Sequence, residues 1–164
     1  MTRNRSGFLL LLVPTAIGSA ILAFSSIAQP SSSIDVARFD SEGFLIFPDE
    51  TSRWVTLGSG IGGDYEGEAF DPSNPGRLSH VQMEPEAYEF FLQNGYYAEG
   101  TMLLLTFFHA LEKPEPRLRG FAQGEVAQLE IHLIDERLYR DEGRAFFLFP
   151  TTEPRTAPAI PVGS

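Results

Sequence analysis

Cysteine is absent from this sequence of 164 residues. That absence excludes disulfides, thiolate-bound metal, iron–sulfur clusters and haem held by thioether bonds. It also excludes a lipoprotein anchor, which needs a cysteine at its cleavage point. Basic residues are scarce, with 12 lysines and arginines against 22 aspartates and glutamates, a net charge of −10. A surface of that sign repels phosphate backbones and anionic lipid, so nucleic acid is not expected as a partner. It favours a cationic substrate or a basic protein partner. Beyond the first 28 positions no apolar run approaches membrane-spanning length. No internal repeat is present.

The start of the chain has the features of an export signal. Arg3 and Arg5 give a positive n-region, and Gly7 to Phe24 is apolar apart from Thr15 and Ser19, with Pro14 at its centre. Ser26-Ile27-Ala28 offers small residues at the positions a signal peptidase reads. The expectation is a signal peptide over 1–28, a periplasmic or secreted product, and membrane attachment only through an uncleaved signal. Cleavage after Ala28 removes two arginines and no acid, so the net charge becomes −12. What remains is still enough for one domain with a real core.

The next residues, 29–39, read as a flexible spacer because Gln29 to Ser33 is polar and Ser-rich. Residues 40–150 read as the folded domain and 151–164 as a Pro-rich tail without a pattern of its own. Within the domain, Pro48 to Ser52 looks like a helix start, and Gly58 to Gly76 is a long acidic loop ending in a strong turn signal. Leu78 to Met83 reads as a strand. Pro85 suits the first turn of a helix, whose apolar stripe is Ala87, Tyr88, Phe91 and Leu92 and whose cap is Asn94-Gly95. Thr101 to Leu111 is a long apolar strand expected to be covered on both faces. Gly124 to Ile134 alternates, and Ala145 to Phe149 is the last strand. The fold class is therefore α+β, mainly an antiparallel β-sheet with a few short helices.

Several chemical motifs are present only in part. Gly58-Ser59-Gly60-Ile61-Gly62-Gly63 matches a dinucleotide string, but acidic residues follow it where an apolar helix is required. Asp64, Glu66, Glu68 and Asp71 lack the spacing of a calcium loop and read as a solvated acidic loop. Ser59 and Ser79 lack a nucleophile-elbow context. The three histidines fall on three expected strands. His80 shares a face with Leu78 and Gln82; His109 with Leu105, Phe107 and Leu111, so it reads as a core or pocket residue; His132 with Glu130 and Gln128. Those faces do not converge, so no shared metal site is expected.

Certain segments, taken in order, resemble the cytochrome P-460 family. They are Arg53-Trp54-Val55 with Leu57-Gly58-Ser59, the stretch His80 to Tyr88, Glu99-Gly100-Thr101, Glu130-Ile131-His132 with Asp135, and Gly143-Arg144-Ala145-Phe146-Phe147. The resemblance covers roughly 40–150. Ala98 stands where the family has proline and Arg144 where it has tryptophan. The resemblance implies a mainly antiparallel sheet that packs a c-type haem on one face, in proteins that oxidise hydroxylamine or bind small gases. It also implies a Cys-x-x-Cys-His motif after the last strand. Here that region is Thr156 to Ser164 and has no cysteine. Where a lysine cross-links the porphyrin in the oxidising members, this chain offers Leu103, Leu104 and Leu105.

The expectation is an exported domain of this build without covalent haem, binding a small apolar or redox-related ligand or serving as a non-catalytic partner. Its candidate pocket is Leu103, Leu105, Phe107, His109, Glu130 and His132. Non-covalent haem on His109 or His132 is expected less, since haem needs a deep apolar slot as well as a ligand. The same residues are also compatible with a haem oxidase whose attachment segment lies beyond this sequence, and with an acidic periplasmic module that docks a basic protein.

Overall fold

The alternating stretch that ends at Ile134 forms the central strand pairing of the fold. A computed structural model describes residues 33–62, 71, 73–113, 119–153 and 155–160. The signal peptide expected over 1–28 and the acidic positions Asp64, Glu66 and Glu68 lie outside the described residues. The described residues belong to one compact unit, Ser31–Ser164.

Five strands form an antiparallel meander in sequence order: β2 (Val55–Ile61), β3 (Arg77–Met83), β4 (Thr101–Lys113), β5 (Gly120–Ile134) and β6 (Arg144–Phe149). Two short strands, β1 (Leu45–Ile46) and β7 (Thr156–Ala157), pair antiparallel beside it. One helix, α1 (Pro85–Asn94), and one 3-10 turn, Thr51–Arg53, complete the described elements. The architecture is thus mostly antiparallel sheet, as the strand patterns predict.

Register assigns the faces. Met102, Leu104, Ile131, Leu133, Ala145 and Phe147 lie on one face and are almost wholly buried. Leu45, Trp54 and Ala157 close over them, with Val36, Phe39, Phe47 and Tyr139 packed around the edge. Each such aliphatic or aromatic side chain contributes about 1.5–3 kcal/mol by leaving water, so this face carries most of the stability. The opposite face carries Met83 and Leu103, against which Ala87, Ala98 and Ile34 pack.

Local chemistry sets α1. Pro85 occupies its first turn, where a missing N–H costs nothing. Gly95 ends it at φ 74°, donating its N–H to the Phe91 carbonyl at 2.8 Å. The stripe differs from the expected one at Leu92, which is 64% exposed; Tyr88 packs as expected, and Phe90 packs beside it.

Three expectations are corrected. Gly58 to Ile61 is not a loop but continues edge strand β2, pairing with Leu78 to Val81 after a bulge at Leu57. The tail has a pattern after all: Thr156 and Ala157 pair with Ile46 and Leu45, and the Ile160 N–H donates to the Phe146 carbonyl at 2.7 Å. Residues 33–39, read as spacer, are tied to the domain, with Ile34 buried and its N–H donating to the Glu99 carbonyl at 2.7 Å. The φ of +86° at Gly100 serves that contact, because a Cβ there would lie 2.1 Å from the Ile34 carbonyl oxygen.

Candidate functional site

Five of the six pocket candidates share one face of the sheet. Leu103 lies opposite His132, Leu105 opposite Glu130, and Phe107 opposite Gln128. The His132 ring stacks on Phe146 at 4.5 Å between centroids and 18° between planes. Its Nε2 is buried with no hydrogen-bond partner. Burial pushes the imidazole below its usual range, and the Arg144 charge pushes it the same way. Beside it runs a polar row: Arg77 donates to the Gln128 amide oxygen at 2.8 Å, Gln128 donates to Glu130, and the Arg77 guanidinium sits 5.7 Å over the Phe107 ring.

His109 does not join the set. It is exposed, opposite Arg77 at the last pairing of β4 with β3, where the β4–β5 register also shifts on either side of Phe108. His80 faces the other way, edge-on to Phe108 at 5.3 Å. Among the described residues no three His, Cys, Asp or Glu side chains come together as a metal site.

His132 does not offer a haem an open axial nitrogen. No thiol is present for attachment. An axial nitrogen needs open space in front of it for the porphyrin iron. The Nε2 of His132 is enclosed, and its ring is pressed flat on Phe146.

A cavity of about 260 Å³ lies elsewhere, where the 3-10 turn meets the β3–α1 joint. Its floor is made by Glu84, Trp54 and Val36; exposed Asp49, Glu50, Arg53, Pro85 and Glu86 form its rim. The pairing of Val55 with Met83 brings the two segments together, and Gln82 donates to the Trp54 carbonyl at 3.4 Å. Glu50 holds φ 57°, the only left-handed non-glycine among the described residues. That conformation starts the turn, in which the Arg53 guanidinium meets the Glu50 carboxylate at 3.0 Å.

Glu84 is the unusual group. It is 3% exposed, and neither carboxyl oxygen makes a hydrogen bond of good geometry, although the Met102 backbone amide lies close enough to act on the group. It occupies the position before α1 without capping it, so its carboxyl is not spent on helix amides. Met83 before it and Ala87 after it are buried in the same small cluster and draw the joint inward. Burial pushes the Glu84 carboxyl from 4.5 up to about 8; the Met102 backbone amide offsets part of the rise, and Glu86 repulsion adds to it. Near neutral pH the floor is therefore mainly a protonated acid that can donate or accept a hydrogen bond.

Two larger depressions, of about 480 and 400 Å³, lie among the turn at 138–145 and around Phe47 and Arg155. Arg155 is occupied: its guanidinium lies 5.2 Å over the Phe47 ring and 3.2 Å from the Glu153 carboxylate.

No protein-family model matches the chain, and no curated protein sequence does.

The sequence reading missed the Glu84 cavity. Its one available signal was an acid wedged between an apolar strand end and a helix-starting proline, a place where a carboxylate usually caps the helix.

Proposed function

We propose that this chain is an exported ligand-binding domain of cytochrome P-460-like build without covalent haem, and that it takes a small ligand in the cavity over Glu84. The carrying observation is the Glu84 side chain, 3% exposed beneath the cavity, with neither carboxyl oxygen in a hydrogen bond of good geometry. Leaving such a group unsatisfied costs about 1–3 kcal/mol, and groups kept at that cost cluster at functional sites. The order of the family-like motifs supports the build, and two of them supply this cavity: Arg53 and Trp54 from one, Glu84, Pro85 and Glu86 from the other. A volume of about 260 Å³ is just below the usual range for drug-sized ligands, so the ligand is small.

Native mass spectrometry of protein purified from its own host tests this reading. A non-covalent adduct of low mass, lost in Glu84→Leu, is the expected result. Bare protein in every preparation, or an adduct indifferent to position 84, counts against it. Protein made alongside haem-maturation machinery should show no Soret band; a covalent haem spectrum would end the haem-free reading.

A second reading places the ligand on the sheet face of Leu103, Leu105, Phe107, Glu130 and His132. The unpartnered nitrogen of His132 favours it. An adduct lost in His132→Phe but kept in Glu84→Leu would select this face.

A further inference from the structure

We infer that the outer face of α1, around Tyr88, Phe91, Leu92 and Tyr97, docks an amphipathic basic segment of a partner protein, with apolar side chains of the segment on that face and its lysines or arginines at Glu86 and Glu89. The surface lies outside the cavity except for Glu86 on its rim, and needs no ligand there.

α1 carries more apolar side chains than the sheet covers. At about 100° per residue, Phe90, Ala87, Phe91, Tyr88 and Leu92 follow one another around roughly 200° of the helix, about twice the width of an ordinary core-facing stripe. Yet Ala87 is the one residue of α1 that is buried. Tyr88 and Phe90 are half-buried against the small cluster of Met83, Ala87 and Ala98. Phe91 and Leu92 belong to neither core cluster. The chain after the helix extends the patch. The Tyr97 ring stacks on Phe91 at 5.0 Å between centroids and 21° between planes, and Tyr96 meets Phe90 edge-on at 5.4 Å. Tyr96 and Tyr97 are themselves 39% and 41% exposed. A joined apolar surface of this kind, unlike a single exposed leucine, marks an interaction site, and tyrosines are enriched at such places.

Charge selects the occupant. From Leu78 to Glu112 the sequence has five glutamates and no lysine or arginine. Glu86 and Glu89 fill the exposed sector of α1 between Leu92 and Phe90, with Glu89 three residues before Leu92 and so beside it. Neither has an ion-pair partner among the described residues. Arg53, which shares the cavity rim with Glu86, is held by Glu50 at 3.0 Å. The last turn of α1 has no basic side chain, so the partial negative charge of its terminal carbonyls is unbalanced as well. A second copy of this chain would bring Glu86 and Glu89 against their like, on top of a net charge of −10, and anionic lipid is repelled in the same way. A basic amphipathic segment meets apolar surface and opposite charge side by side, and its cations can also lie over the tyrosine rings.

The test uses the full chain and a dye-labelled peptide of roughly eighteen residues, with leucine and lysine on opposite faces of a helix. One control peptide has glutamate for every lysine, and another has serine for every leucine. The result expected from fluorescence anisotropy is one-to-one binding of the leucine–lysine peptide, with both controls weaker by about tenfold or more. Leu92→Gln, at a side chain too exposed to matter for folding, should weaken binding about three- to tenfold. Glu86→Gln with Glu89→Gln should do the same and flatten the salt dependence by about the share those two charges supply. Glu112→Gln with Glu125→Gln removes equal charge at the other end of β4 and β5 and should change affinity by less than about twofold. No binding of the leucine–lysine peptide, an affinity indifferent to Leu92, or equal losses from the two pairs of glutamates overturns the docking face. Equal binding of the glutamate peptide overturns the basic partner. Self-association in sedimentation velocity that Leu92→Gln abolishes gives the face to a second copy, and binding to phosphatidylcholine vesicles in place of the peptide gives it to a membrane; either result overturns the assignment.

Discussion

The Glu84 carboxyl makes a prediction that needs no ligand. Folding raises its pKa from 4.5 to about 8. Below 4.5 both folded and unfolded chains hold the proton, and the group is neutral in the balance. Between 4.5 and about 8 the unfolded chain ionises freely while the folded one keeps its proton, so stability falls as pH rises. Above that window both states are charged and the loss is complete. The gap between 4.5 and about 8 sets a ceiling of about 5 kcal/mol, and relaxation around the charge should reduce it to about 2–3 kcal/mol. Glu84→Gln keeps the shape and cannot ionise. Urea midpoints of the two proteins, followed by Trp54 emission from below pH 4.5 to above pH 8, should therefore diverge. The variant gains about 2–3 kcal/mol relative to the parent across that window. Asp135 and His132 titrate in both proteins and cancel in the difference. A difference that stays flat with pH would refute the argument, because it would mean that Glu84 has no raised pKa in the folded chain.

Two further substitutions test contacts that hold the domain together. Gly100→Ala should lower stability by about 2–4 kcal/mol in chemical denaturation, since the left-handed backbone costs about 1–2 and the Ile34 carbonyl must also move; a change within experimental error would show that the Ile34 contact is not tight. Asp135→Ala should cost about 2–4 kcal/mol in the same assay, because burial pushes that carboxyl up but the Arg137 guanidinium and the amides of Leu138 and Arg137 outweigh it and hold it low. The parent should also lose stability as pH falls through 3.8, where the unfolded carboxyl takes up its proton first, and the variant should lose that limb.

How much of this was legible in the sequence differs by element. The alternation of Leu129, Ile131 and Leu133 with Gln128, Glu130 and His132 gave β5 and both its faces, because burial on one side alone imposes a period of two. Pro85 and Gly95 marked α1 through local backbone chemistry. Gly58 to Ile61 resisted reading because an exposed edge strand rich in glycine has no side-chain pattern to show. Thr156-Ala157 is too short to carry a period. His109 sits in an apolar run, yet it lies exposed at the last β3–β4 pairing, where the β4–β5 register shifts, and neither is written in nearby residues. Leu103, Leu105, Phe107, Glu130 and His132 were legible as a candidate pocket, but the faces of the two strands read as separate, and only the β4–β5 register joins them. The cavity was not, because it is closed over Glu84 by segments thirty or more positions upstream, Val36 and the turn at Asp49 to Trp54.

The pairing of β1 with β7 has an entropic side. Leu45 and Ala157 meet across nearly the whole described chain, so the clasp closes the longest loop in the fold. Closing so long a loop carries the largest chain-entropy cost of any pairing in the described sheet. Each opening bares Leu45 and the Phe147–Phe149 strip, the greasiest seam of the domain. The ribbon thus covers a strip that would otherwise be open to self-association.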